Sequence, residues 1–106
     1  MRIAVPIARG KLAAAFDQCD QFVVFEADAG SKEITSRDKM ETPPHRPGAY
    51  PRWLADHGTD VLIARRIGPR AQTLLAQLGI KVVDSAEEGP VEEIAQHYLE
   101  GTLKTA

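Results

Sequence analysis

The apolar positions of this chain follow two rhythms, and their order predicts the elements. Ile3, Ala4, Val5 and Ile7 make residues 2–7 an apolar run, read as a buried central strand. Pro6 has no N–H to give to a ladder, so it marks the expected end of that strand. Residues 8–20 read as a loop, in which Leu12-Ala13-Ala14-Ala15 has the composition for one helical turn. Gln21–Asp28, QFVVFEAD, is a second strand with a β-branched and aromatic core. A turn at residues 29–32 leads to Glu33–Glu41, a third strand whose only large apolar residues are Ile34 and Met40. Its Arg37 and Lys39 suit a sheet edge, where charge discourages further pairing.

The period then lengthens to that of a helix. After the stiff loop TPPHRP at residues 42–47 and Gly48, Tyr50, Trp53, Leu54 and His57 fall on one helix face. Pro51 is tolerated there in the first turn. Residues 61–64, VLIA, form a continuous apolar strand. Gly68 breaks the pattern, and Pro69 sits at a first helical position, where its missing N–H needs no partner. Ala71, Leu74, Leu75 and Leu78 follow at i, i+3, i+4, i+7, and Gly79 ends that helix. Residues 80–83 are a fifth strand. Pro90 opens the last helix, with Glu92 and Glu93 favouring its dipole and Val91, Ile94, Ala95, Tyr98 and Leu99 as its buried stripe. Gly101 ends it, and residues 102–106 are expected to fray.

The order β-β-β-α-β-α-β-α fits one α/β domain over residues 1–106. A short turn makes strands two and three a hairpin, and helical crossovers make the later strands parallel and right-handed. The expected sheet is five-stranded and mixed, of order 3-2-1-4-5, with strand two antiparallel and helices on both faces. The loops after strands one, three and four then open at one sheet edge, together with the start of strand two. Cys19, His45 and the pair Arg65-Arg66 should therefore meet on one rim, near the switch point where open α/β sheets bind ligands.

Composition narrows the function classes. Across 106 residues, 43% are apolar and 26% charged, as in a soluble globular domain. A net charge of −2 gives no basic field for duplex nucleic acid, so any anion affinity must come from local clustering. One cysteine excludes an internal disulfide and an all-cysteine metal site within one chain. No apolar run approaches the roughly 18–20 residues that span a bilayer. The start MRIAVPIARG lacks the length and cleavage pattern of a signal peptide, so the expected address is the cytoplasm.

The chemistry gathers around the turn at residues 65–70. A helix N-terminus offers unpaired N–H groups and a partial positive charge, so Arg65, Arg66 and Arg70 beside it point to an anion site. Alternation after a strand sends Arg65 and Arg66 to opposite sides, one toward the rim and the other toward a carboxylate elsewhere. A surface ion pair is the plain alternative for Arg70. Cys19 is either a small buried residue or a soft thiolate ligand for iron. His45 is either a surface histidine or an imidazole donor in a functional loop. His57 reads as packed or capping and His97 as exposed and inert. Tyr50 and Trp53 sit at core spacing, and Trp53 could flank a site or a partner surface.

Several of these stretches occur together in a known family. MRIAVPI, Phe16 and Cys19 before QFVVFEAD, the Pro/His loop, and DVLIARRIGPRAQTLLAQLGIKVV followed by GPVEEIAQHYLEGTL resemble the dinitrogenase iron–molybdenum cofactor biosynthesis family, the NifX-type domain. The resemblance covers nearly the whole chain, and residues 67–71, IGPRA, are its most specific piece. It implies a three-layer α/β/α fold of the ribonuclease-H-like kind. It also implies a protein that binds the iron–molybdenum cofactor or its iron–sulfur precursor and acts as a carrier or store, not as a catalyst. The partners implied are nitrogenase or cofactor-assembly proteins. Under this reading Arg65, Arg66, Gly68 and Arg70 form the cofactor-binding set, and Cys19 and His45 the metal ligands. The chain departs from the family at Ala15, where relatives often have histidine, and at Arg65 and Arg66, where they often have two glycines.

Three functions follow as expectations. The first is a cofactor carrier, in which one chain supplies few ligands and a homodimer could bring two Cys19 or two His45 together. The second, an enzyme, lacks support: residues 2–7 hold no carboxylate for two-metal nuclease chemistry. The turn at residues 67–70 has one glycine and no following Lys-Ser/Thr, so it is not a Walker loop. The third is an interaction or regulatory domain that takes a small anion or a protein partner at the same rim without metal.

Overall fold

In the computed structural model, which describes residues 1–104, β1 (Arg2–Ala8) occupies the middle of a six-stranded mixed sheet. The remaining elements are β2 (Lys11–Leu12), β3 (Gln21–Asp28), β4 (Glu33–Glu41), α1 (Ala49–Asp56), β5 (Val61–Ile63), α2 (Pro69–Gln77), β6 (Lys81–Val83) and α3 (Val91–Glu100). Five strands lie in the order β4-β3-β1-β5-β6, and β2 pairs with β1 off this path. β3 runs antiparallel to both β1 and β4, and β1, β5 and β6 are parallel.

Two details of the first strand correct the sequence reading. The sheet has six strands, not five, because the chain doubles back directly after β1. Arg9 and Gly10 both take left-handed φ, 53° and 79°, and join paired Ala8 and Lys11 as a two-residue hairpin turn. Pro6 does not end the strand; it lies inside it, opposite Phe22, and is fully buried. Its carbonyl accepts the Ala13 N–H at 3.0 Å, so its own nitrogen faces the same side. The pairing of β1 with β5 covers only Ile3 and Ala4, so no ladder bond is lost at Pro6.

The sheet separates two apolar cores. Tyr50 and Leu54 of α1 and Leu75 of α2 pack with Ala4, Phe22, Val24 and Leu62 on one face. Ile94 and Ala95 of α3 pack with Ile3, Val5, Ile7, Val23, Phe25 and Ile63 on the other. Strand alternation divides the residues this way, and burying a side chain such as Phe22 contributes about 2–3 kcal/mol. Leu78, expected on the α2 stripe, is 39% exposed because the helix ends at Gln77. The chain after α3 turns back: the Thr102 N–H donates to the His97 carbonyl at 2.8 Å, and half-buried Leu103 packs on the second core. The expected fraying at residues 105 and 106 falls outside the described residues.

Arg2 ties three elements together. Its guanidinium pairs with Glu26 of β3 and donates to the His57 carbonyl at the end of α1 at 2.6 Å. Its N–H donates to Asp60 at 2.8 Å. Among the described residues no helix is long and apolar enough to cross a membrane.

Candidate functional site

Cys19 follows a single 3-10 turn, Phe16–Gln18, that folds both Phe16 and Cys19 inward. They are 4% and 7% exposed. The Cys19 thiol donates to the Phe16 carbonyl at 3.3 Å. Burial pushes this thiol up to about 12, and the nearby Asp20 and Asp17 carboxylates add to the rise. At neutral pH Cys19 is therefore a protonated thiol in this conformation.

Phe16 connects the corner. Its N–H donates to the Arg66 carbonyl at 2.8 Å, which ties the segment after β1 to the turn after β5. Its ring meets Tyr50 edge-on at 5.8 Å and tilts against Phe22 at 6.0 Å. Exposed His45, in the loop before α1, stands edge-on to Tyr50 at 5.2 Å. The described contacts thus link Cys19, His45 and the Arg66 backbone through Phe16 and Tyr50. That bridge was absent from the sequence reading, which placed Tyr50 only at core spacing. Its signal was an aromatic residue on each of the two segments that border the rim.

Arg65 and Arg66 take different surroundings. Arg65 is half-buried and its Nη1 lies 2.5 Å from Glu88 Oε1, in the loop after β6. Nothing in the sequence marked Glu88, one charge in a polar loop. Arg66 and Arg70 are exposed, and among the described residues neither has a salt-bridge partner. Gly68 precedes α2 with φ −65° and ψ 155°, and no side chain caps the helix. The Arg70 and Ala71 N–H groups at its start have no partner within the helix.

The other candidates are structural. His57 stacks on Trp53 at 3.8 Å and its Nδ1 lies 2.8 Å from the Trp53 carbonyl, while Trp53 stacks on Phe22 at 5.1 Å. His97 is exposed but not idle, since its Nδ1 lies 2.9 Å from Thr102 Oγ1 and helps close the turn after α3. Among the described residues no group of three or more His, Cys, Asp or Glu is placed to hold a metal ion.

A family model described as dinitrogenase iron–molybdenum cofactor matches residues 1–101. The chain belongs to that family. An uncharacterized protein of Methanocaldococcus jannaschii is 34% identical over 111 residues, a span of 98% of this chain and 90% of the relative. The crystal structure of the protein PH0822 superposes with a TM-score of 0.90 at 25% identity, covering 99% of this chain and 94% of that one. The apo form of the orange protein from Desulfovibrio gigas superposes with a TM-score of 0.74 at 30% identity, covering 99% and 92%. Each of these three matches covers 98–99% of this chain, so the rim described above lies within the shared fold.

Proposed function

We propose that this protein binds an iron–molybdenum cofactor, or its iron–sulfur precursor, on the rim beside α2, and carries or stores it without catalysing a reaction. Its working place is the cytoplasm, and its partners are cofactor-assembly proteins or nitrogenase. The family match over residues 1–101 is the observation that carries this reading. The ribonuclease-H-like, three-layer description belongs to the same proposal, and two core clusters on opposite sheet faces support it.

The rim fits such a cargo as an open site. A metal–sulfur cluster with an organic acid is anionic, and exposed Arg66 and Arg70 beside an uncapped helix start favour negative charge. Gly68 leaves the backbone bare next to them. His45 is the accessible imidazole donor. Cys19 joins as a ligand once the Phe16–Gln18 turn opens, because metal binding requires the thiolate and itself displaces the proton. Two chains would supply two His45 and two Cys19, whereas one chain alone holds its cargo by few bonds and hands it on readily.

A second reading, a metal-free domain for a small anion or protein partner, draws on the buried, protonated Cys19. The test is to incubate the purified protein anaerobically with isolated iron–molybdenum cofactor and measure iron retained after gel filtration. Retention that falls in His45→Ala and Arg66→Ala is the expected outcome. A protein that elutes free of iron would leave only the second reading.

A further inference from the structure

The loop after β6 opens at the same sheet edge as the turn after β5 and is laced to it, and one of its side chains pairs with Arg65 of that turn. Ala64 N–H donates to the Val83 carbonyl at 2.9 Å, Ser85 N–H to the Arg65 carbonyl at 3.1 Å and Ala86 N–H to the Ala64 carbonyl at 3.0 Å. Gln72 Nε2 bridges the Ile67 carbonyl at 3.0 Å and Asp84 Oδ2 at 3.3 Å. These bonds fix residues 84–86 against the turn. Beyond buried Ala86 the chain is exposed through Pro90. From that exposed stretch Glu88 places Oε1 2.5 Å from Arg65 Nη1. Arg65 is the one arginine of the three with a salt-bridge partner among the described residues.

Exposure decides what this pair can do. The Glu88 side chain is 77% exposed and that of Arg65 36%. An ion pair so open to water is weak, so it holds Arg65 without locking it. A multiply charged anion arriving at the rim would outbid one carboxylate for the same guanidinium. We infer that Glu88 is an intramolecular competitor of the anionic cargo, occupying Arg65 while the rim is empty and yielding it on loading.

The inference rests on the cofactor-binding reading of the rim and adds how that site is regulated. A ligand that must displace Glu88 binds more weakly by the fraction of time Arg65 is free, about two- to fivefold for a pair of this strength. For a carrier, that loss eases release, since Glu88 recaptures Arg65 as the cargo leaves.

The test compares the wild-type protein with E88Q, E87Q, R65Q and the double variant E88Q/R65Q. Each is titrated anaerobically with isolated iron–molybdenum cofactor, and bound iron is read after gel filtration. E88Q is expected to bind about two- to fivefold more tightly. E87Q, which makes the same change in net charge one residue away, is expected to match wild type. E88Q/R65Q is expected to bind no more tightly than R65Q. A cargo-independent arm maps phenylglyoxal modification of the apoprotein by mass spectrometry, with Arg65 expected to react faster in E88Q. Equal affinity of E88Q and wild type, an equal gain in E87Q, a gain that survives R65Q, or unchanged Arg65 reactivity would each overturn the inference while leaving the cofactor reading intact. No iron retained by wild type would remove the cofactor reading, and the competitor role with it.

Discussion

At the scale of single residues, Cys19 has its proton held by the fold. The 3-10 turn buries the sulfur against the Phe16 carbonyl, and burial lifts its pKa from 9.0 to about 12. The folded chain then binds this proton more tightly than the unfolded chain does. The stability this contributes is complete below pH 9.0 and drains away as pH rises toward about 12. The slope is at most about 1.4 kcal/mol per pH unit. Urea unfolding from pH 8 to 10.5 should therefore show wild type losing stability faster than Cys19→Ala above pH 9.0. At pH 7 the variant should be the weaker of the two by about 1 kcal/mol, for the lost sulfur packing and hydrogen bond. Parallel stability curves above pH 9.0 would sink this account. Burial of this thiol was only half legible in the sequence. A lone cysteine before a β-branched run suits either a core or a ligand, and its burial comes from the turn at Phe16–Gln18, which no sequence pattern marked.

At the scale of elements, the connection from β5 to α2 holds the most chemistry and the least conformational demand. Gly68 has φ −65°, which any residue adopts, and a Cβ built there would find no heavy atom within 4 Å. Neither backbone strain nor packing asks for glycine. Under the proposed function, the bare backbone there leaves room for the cargo to approach the helix start. Gly68→Ala should accordingly change stability by less than about 1 kcal/mol in a thermal melt. It should weaken cofactor retention on the order of fivefold. A variant that retains cofactor as wild type does would show that the cargo does not approach Gly68. Elements of this kind were readable because long periodic stretches leave few alternatives: the α2 helix opens at Pro69, as its pattern requires. β2 was hidden because its hairpin turn places arginine, not asparagine or glycine, at the first left-handed position. Pro6 misled because its ladder cost depends on which neighbour its nitrogen faces, a fact of the sheet and not of the strand. Among the described residues Arg65 has a carboxylate partner and Arg66 has none, and the sequence did not mark that partner, since Glu88 arrives from another loop.

At the scale of the whole molecule, charge sets how such a rim can work. Thirteen Lys and Arg face fifteen Asp and Glu, so no net positive field draws in an anion. Under the proposed function, the short-range field of Arg66, Arg70 and the α2 start must supply the attraction. Fields from exposed arginines are screened over about 10 Å at 0.1 M salt, whereas a metal–ligand bond to His45 or Cys19 is not. Ionic strength thus separates the two ways of holding the cargo. If the arginines dominate, raising sodium chloride from about 0.05 to 0.5 M should weaken cofactor retention on the order of tenfold. Arg66→Gln combined with Arg70→Gln should flatten that dependence. If coordination dominates, retention should be nearly indifferent to salt and should fall instead in His45→Ala. Anaerobic gel filtration of the loaded protein across that salt range, with bound iron as the readout, decides between them. A salt-independent wild type would move the weight of binding from the α2 start to the imidazole and the thiol.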